Sequence, residues 1–174
     1  MHNADLCDTL GNLVHRATNL CTKYCNGIIM DVPTSAPINF NEVLDSFETK
    51  MNHFELQAGA SIAIQGFRDL NGYLTEEAPW LKKGDEFTQF RQSVVRTTLE
   101  SIYILAHLLT PFIPEGSAKI FRKLNTEPTT LAELNREGHN LAVGTRVDIG
   151  DVLYSKVGVY SWCWCMYNET CYLH

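Results

Sequence analysis

The sequence between residues 11 and 16 reads Gly11-Asn12-Leu13-Val14-His15-Arg16 and lies within a predicted helix from about Asn3 to about Cys25. Apolar residues recur in this segment at the three- and four-residue spacing of one helical face, which is typical of a helix that packs on a core. Asn12 and Arg16 are four residues apart, so their side chains stand side by side, one turn apart. An amide and a planar guanidinium in this arrangement can bind the edge of a base or a carboxylate. A solvated helix edge is the alternative interpretation of the pair.

The apolar pattern continues into further helices along the chain. A second helix is predicted over about residues 40–54 and a third over about 55–77, where Ala78-Pro79 ends it because a residue before proline avoids the α region. A fourth is predicted to begin with Asp85 as its cap and to end near Leu109, and a fifth to begin at Pro114. The sequence therefore predicts an all-α fold, a bundle of about five helices with a short irregular C-terminal extension.

Three local features predict contacts within this bundle. Gly59 and Gly66 lie on one side of the third helix, where they would let another helix approach closely. His107 lies among the apolar residues of the fourth helix and is predicted to be a packed core histidine rather than a base. Residues 130–133 have the capping-box pattern and are predicted to open one more short helix, which Gly138 ends.

The composition divides the chain into three parts. Residues 1–137 form the predicted helical domain, residues 138–157 a less regular extension with β-like pieces around 142–143 and 152–154, and residues 158–174 an unassigned tail rich in cysteine and aromatic residues. The candidate metal ligands of this tail do not have the usual Cys-x2-Cys spacing, so no metal site is predicted. They are Cys163, Cys165, Cys171 and His174.

Length, composition and net charge limit the class of protein to which this sequence can belong. A chain of 174 residues, 45% of them hydrophobic and 20% charged, is predicted to form one soluble domain with a proper core. The net charge of −6 excludes a broad positive surface for long duplexes, so any nucleic acid would be held locally. No apolar run reaches the length of a membrane span, no signal peptide is recognised, and the six cysteines form no secreted framework. The sequence therefore predicts an intracellular protein.

Several ordered pieces of the sequence resemble one known family. They are Asn3-Ala4-Asp5-Leu6, Gly11 to Arg16, Leu70-Asn71-Gly72-Tyr73-Leu74 continuing into Glu77-Ala78-Pro79-Trp80, Arg96-Thr97-Thr98-Leu99-Glu100, Leu109-Thr110-Pro111-Phe112-Ile113-Pro114, Gly144-Thr145-Arg146 and Val152-Leu153-Tyr154-Ser155-Lys156-Val157. This set is similar to the anticodon-binding domain and C-terminal end of methionyl-tRNA synthetase, a class I aminoacyl-tRNA synthetase. The likeness covers roughly residues 1 to 157.

The resemblance implies roles for three residues in reading an anticodon. The residues that match Asn12 and Arg16 recognise the first anticodon base in that family, and the residue that matches Trp80 stacks in the anticodon loop. These roles agree with the chemistry, because RNA is read in unstacked loops by side chains that bind base edges and by aromatic rings that stack. Lys82 and Lys83 are expected to contact nearby phosphates. The implied partners are initiator and elongator methionine tRNA, with no DNA and no membrane.

The catalytic half of that family is missing from this sequence. Neither a His-Ile-Gly-His type nor a Lys-Met-Ser-Lys-Ser type signature occurs, so the chain is expected to be inactive alone and to hold no cofactor. ATP and methionine would bind the catalytic half, a further implied partner, either preceding this chain or supplied in trans. The implied location is the cytoplasm, with the mitochondrion left open. An alternative function is a helical protein–protein docking module associated with a synthetase or a multi-enzyme assembly.

Overall fold

A computed structural model describes residues 2–154, with side chains from Leu6 onward. The first helical element is π-helical over His2–Gly11 and continues directly into α1. Four further α-helices follow in chain order. The α-helices are α1 (Asn12–Cys25), α2 (Phe40–Asn52), α3 (Leu56–Glu77), α4 (Thr88–Leu109) and α5 (Pro114–Leu124). The predicted all-α fold of about five helices is confirmed for this part of the chain.

Several predicted boundaries are wrong in detail. The opening helix changes from π to α geometry at Gly11 rather than running as one α-helix. Asp85 does not cap α4 but begins a short 3-10 helix, Asp85–Phe87, and no side-chain cap hydrogen bond forms there.

The chain after α5 also differs from its prediction. The capping box at Thr130 and Glu133 is present, but it opens only a three-residue 3-10 helix, Leu131–Glu133, rather than a helix that ends at Gly138. The β-like pieces around 142–143 and 152–154 form no strand. Within residues 2–154, β pairing is limited to one isolated bridge between Ile28 and Arg146, because Gly144, at φ +84°, turns the chain there and the Thr145 amide donates back to Ala142.

α4 is the centre of the bundle. It is buried along its length from Val94 to Leu109 and packs against α1, α3 and α5, while α2 packs against α3. Gly66 of α3 makes the contact with α4 possible, since a Cβ built on it would lie 2.5 Å from Leu105 Cδ2. Gly59 has the same effect for α2, since a Cβ built on it would lie 2.8 Å from Met51 Sδ. The predicted close approach of another helix is therefore confirmed at both glycines.

A buried ion pair on α4 joins the helices to the extension. Arg96 and Glu100 are 4% and 2% exposed and lie 3.2 Å apart. Arg96 also donates to the Met30 and Leu141 carbonyls, and Glu100 accepts from the Asn140 and Leu141 amides. Because these partners lie in the loop after α1 and in the extension, the pair fixes both segments against the bundle.

Candidate functional site

α1 presents Asn12 and Arg16 on the edge of its buried face. Leu13, Val14 and Ala17 are at most 1% exposed, whereas Asn12 is exposed and Arg16 is half-buried. The helix separates the two polar residues by about 6 Å along its axis. Asn12 has no hydrogen-bond partner among the side chains that the structure describes, so its amide is available to a ligand.

A change of backbone direction after α3 brings Trp80 to α1. α3 ends at Glu77, as predicted, and Ala78 adopts the left-handed conformation with φ +41° and ψ +58°. The Leu81 amide then donates to the Ala78 carbonyl at 2.8 Å, which closes a turn. The Arg16 guanidinium carbon consequently lies 5.4 Å from the centroid of the half-buried Trp80 ring, a distance at which a cation and a ring attract each other. We call Asn12, Arg16 and Trp80 the Arg16 patch.

Asn71 supports this patch from α3. Its Oδ1 accepts a hydrogen bond from Arg16 Nη1 at 3.4 Å, and its Nδ2 donates to the carbonyls of Thr9 and Phe67, each at 3.1 Å. Asn71 thereby connects α3 to the π-helical segment and to Arg16 at once. Asn71 lies in a family-like piece, but its role is not predictable from the sequence, because a contact over 55 residues has no local signature.

Lys82 and Lys83 follow Trp80 in the same loop and are exposed. Lys82 Nζ lies 5.9 and 6.0 Å from the ring centroids of Phe87 and Phe90. Arg91 of α4 holds the loop, donating to the Lys82 carbonyl at 2.7 Å and to Thr88 Oγ1 at 3.1 Å. The structure thus places both lysines within three residues of Trp80; their phosphate contacts stay a prediction.

The Arg16 patch consists of an amide, a guanidinium and an indole. An amide offers donors and an acceptor, a guanidinium offers a planar fork of donors, and an indole offers a flat apolar face. These groups bind and stack rather than make or break covalent bonds. The arrangement therefore supports recognition of a flat, polar-edged ligand.

His107 lies in the core, as predicted. Its Nδ1–H donates to the Tyr103 carbonyl at 2.8 Å, and its Nε2 accepts from the Thr129 amide at 3.1 Å. Its ring lies 4.7 Å from that of Phe121. Burial lowers the pKa of His107 below its ordinary value of 6.5, only partly opposed by the hydrogen bond to Tyr103. Burial and the hydrogen bond from Thr129 therefore both favour the neutral imidazole.

Residues 2–154 offer neither a metal site nor a membrane span. No group of three or more His, Cys, Asp or Glu side chains in this range could hold a metal ion. No helix in the same range is long and apolar enough to cross a membrane. The candidate ligands Cys163, Cys165, Cys171 and His174 lie outside the described residues.

One known protein family matches most of the sequence. A family described as the anticodon binding domain of methionyl tRNA ligase matches residues 33–160. The chain belongs to this family. The match includes Trp80, Lys82 and Lys83 of the anticodon-binding domain, whereas Asn12 and Arg16 precede its first residue, so the roles of the Arg16 patch stay a prediction.

Curated relatives of this anticodon-binding domain are methionine–tRNA ligases. That of Clostridium acetobutylicum is 33% identical over 165 residues, which cover 90% of this chain and 25% of the relative. That of Fusobacterium nucleatum is 33% identical over 132 residues, covering 72% of this chain and 21% of the relative. The chain thus spans at most about a quarter of the length of these relatives.

Solved structures of methionyl-tRNA synthetase share the fold of the domain. The Mycobacterium tuberculosis enzyme in complex with methionyl-adenylate matches with a TM-score of 0.73 and 26% identity, over 89% of this chain and 32% of that one. Its apo form matches with a TM-score of 0.74 and 25% identity, over 90% and 33% of the two chains. The helical bundle is therefore that of the family.

Proposed function

We propose that the domain recognises the CAU anticodon of initiator and elongator methionine tRNA, as the anticodon-binding portion of a cytoplasmic methionine–tRNA ligase. The observation that carries the proposal is the contact of Arg16 with Trp80 at 5.4 Å, next to the exposed amide of Asn12. Membership of a family described as anticodon-binding supports it.

The chemistry of the patch fits an unpaired base. Arg16 and Asn12 together offer the donors and the acceptor that a base edge requires, and they lie one helical turn apart. Trp80 offers a face for stacking, which is worth about 1–3 kcal/mol per base. A few such contacts give affinity without a broad positive field, which suits a chain with a net charge of −6.

The unbound arrangement is ordered before any ligand arrives. Arg16 rests on the Trp80 ring and on Asn71 Oδ1, and Asn71 is itself fixed by two carbonyls. Binding therefore loses less side-chain entropy than it would with a freely rotating arginine. The guanidinium keeps further N–H groups for a base, because Asn71 accepts from Nη1 only.

Amino-acid activation is proposed to belong to the rest of the ligase. The chain spans about a quarter of its curated relatives, and the Arg16 patch contains no reactive group. We expect the 174-residue chain to show no methionine-dependent exchange of pyrophosphate into ATP. Exchange above that of a mock-purified sample would contradict this expectation.

The test of anticodon recognition is binding of isolated stem-loops by the full chain. Loops that carry CAU should bind more tightly than loops altered at the first anticodon position. Arg16→Lys keeps the charge but loses the planar fork, so it should reduce this discrimination. Trp80→Ala should weaken all loops by about 1–3 kcal/mol with little change in preference.

A matched control is available on α5. Arg122 is exposed and has no ion pair with a described residue, so Arg122→Lys should bind like the wild type. The proposal fails if the wild type cannot distinguish the loops, or if Arg16→Lys distinguishes them as well as Arg122→Lys does.

A further inference from the structure

Five cations lie around the loop that follows α3, and none of them forms an ion pair with an acidic residue of the described range, although Glu76 and Glu77 precede the loop and Asp85 and Glu86 follow Lys83. The five cations are Arg16 and Lys23 on α1, Lys82 and Lys83 in the loop, and Arg91 on α4. Elsewhere Lys50, Arg96 and Arg136 are each paired with a carboxylate, while Lys119 and Arg122 of α5 also have no ion pair with a described residue. Exposed cations without an ion pair can attract an anionic ligand even in a chain whose net charge is −6.

Tyr24 organises the part of this charge that lies away from the Arg16 patch. Lys23 Nζ lies 5.2 Å and the Arg91 guanidinium carbon 5.3 Å from the centroid of the Tyr24 ring. Arg91 also donates to the Lys82 carbonyl at 2.7 Å, and Gln92 donates to the Tyr24 carbonyl at 3.3 Å. α1, the loop and α4 are therefore connected around one aromatic ring. We call Lys23, Tyr24, Lys82 and Arg91 the Tyr24 cluster.

The cluster continues the Arg16 patch along the same surface. Arg16 and Lys23 are two helical turns apart on one stripe of α1, about 10.5 Å along its axis. Asn19, exposed between them, keeps the stripe polar. On the other side Lys82 is only two residues beyond Trp80. A strand of RNA whose base occupies the patch would therefore run over or beside the cluster.

We infer that the Tyr24 cluster binds the ribose–phosphate backbone of the tRNA whose anticodon base lies in the Arg16 patch. Lys23, Lys82 and Arg91 supply the phosphate contacts, and Tyr24 is a positioning residue that holds Lys23 and Arg91 by cation–π attraction. Phosphate contacts give affinity and register without reading sequence. The inference rests on the proposed function, since it assigns a second surface to the same RNA.

The decisive variant is Lys23→Gln, compared with Lys119→Gln. Both lysines are exposed and without ion pairs in the described part of the chain, but Lys119 lies on α5. Lys23→Gln should weaken CAU and altered loops by the same factor. It should also lower the slope of log affinity against log salt by about 0.7, the value for one phosphate contact on a single strand. Lys119→Gln should keep the affinity and slope of the wild type.

Tyr24 gives an independent test of the positioning role. Tyr24→Phe retains the ring and should bind like the wild type, whereas Tyr24→Leu removes it and should weaken every loop. Circular dichroism and thermal unfolding of both variants show whether the fold is kept. Equal binding by the two folded variants would remove Tyr24 from the inference.

The outcomes separate this inference from the proposed function. If the wild type discriminates CAU but Lys23→Gln equals Lys119→Gln in affinity and salt slope, the cluster is not a phosphate site and the anticodon proposal stands. If the wild type binds without discrimination but Lys23→Gln lowers the slope, the phosphate contact stands and anticodon reading fails. Equal competition by polyglutamate of matched charge would show an acidic-protein site instead and overturn the inference.

Discussion

Arg96 and Arg16 show how the same side chain serves two different purposes in this fold. Arg96 of α4 is 4% exposed; it donates to two carbonyls and to Glu100. Arg16 of α1 is half-buried, lies on the Trp80 ring and makes one long hydrogen bond of 3.4 Å. Both terminal nitrogens of Arg96 donate to groups within the fold, whereas Arg16 keeps N–H groups that can bind a ligand.

The difference follows from the cost of burying charge. A buried guanidinium must be paired and hydrogen-bonded, because its desolvation is otherwise uncompensated. Even in the Arg96 network, Nε has no partner among the described atoms. Arg16 remains in contact with solvent, so its unused N–H groups cost little until a ligand replaces water. Stability and binding should therefore respond in opposite ways to substitutions at these two sites.

The largest expected effect is the loss of stability on Arg96→Leu. The substitution leaves Glu100 buried without its cation, which typically costs about 3–5 kcal/mol. It also removes the donors to Met30 and Leu141. Urea unfolding followed by circular dichroism measures the loss.

Arg136→Leu is the matched control for Arg96→Leu. Arg136 pairs with Asp45 at 2.7 Å, with side chains 30% and 67% exposed, so its loss should cost at most about 1 kcal/mol. Equal destabilisation by both variants would show that the buried Arg96–Glu100 pair stabilises the fold no more than the exposed Arg136–Asp45 pair does.

The sequence predicts the helices better than it predicts these networks. The proline at the start of α5 and the end of α3 at Glu77 are local features, and both are confirmed. Arg96 and Asn71 lie in family-like pieces, yet their partners Leu141 and Thr9 are 45 and 62 residues away. Contacts over such distances depend on how helices pack, which no local pattern specifies.

The same limit applies to the candidate site. The spacing of Asn12 and Arg16 shows that they share a helical edge, but only the packed structure shows that Trp80 meets Arg16. The β-like pieces of the extension show the opposite error. Leu153 is buried in the core, whereas Val143 and Val152 are 55% and 54% exposed, so a short apolar run here indicates neither strand pairing nor uniform burial.

A smaller loss of stability is expected from Gly66→Ala on α3. The new methyl group would meet Leu105, which is fully buried, and overpacking of this kind costs about 1–3 kcal/mol. Gly72→Ala, six residues along the same helix, meets nothing within 4 Å and should stabilise the fold by about 0.5–1 kcal/mol. Thermal unfolding of both variants measures the difference. A Gly66→Ala variant as stable as Gly72→Ala would contradict the close approach of α3 and α4.

The protonation of His107 is expected to change the free energy of unfolding by less than Gly66→Ala does. Burial lowers the pKa of His107 in the folded state below the ordinary value of 6.5, so the folded state binds this proton less readily than the unfolded state. The contribution is complete above pH 6.5 and is lost as the pH falls from 6.5 through the lowered pKa. His107→Gln should therefore lose less stability than the wild type over that range. Parallel pH profiles of the two proteins would contradict this assignment.

The smallest expected change in the free energy of unfolding is that of Arg16→Lys. This variant tests the comparison of Arg16 with Arg96 most directly. Arg16 contributes one 3.4 Å hydrogen bond and a cation–π contact at a half-buried position. A lysine retains the charge and much of the stem packing. The free energy of unfolding should therefore change by no more than about 0.5 kcal/mol, as at most surface sites. Discrimination of the first anticodon base should nevertheless fall in the same sample, because the planar fork is lost. Urea unfolding and stem-loop binding on one preparation give both values. A loss of stability similar to that of Arg96→Leu would make Arg16 a structural residue, and the contrast between the two arginines would then be wrong.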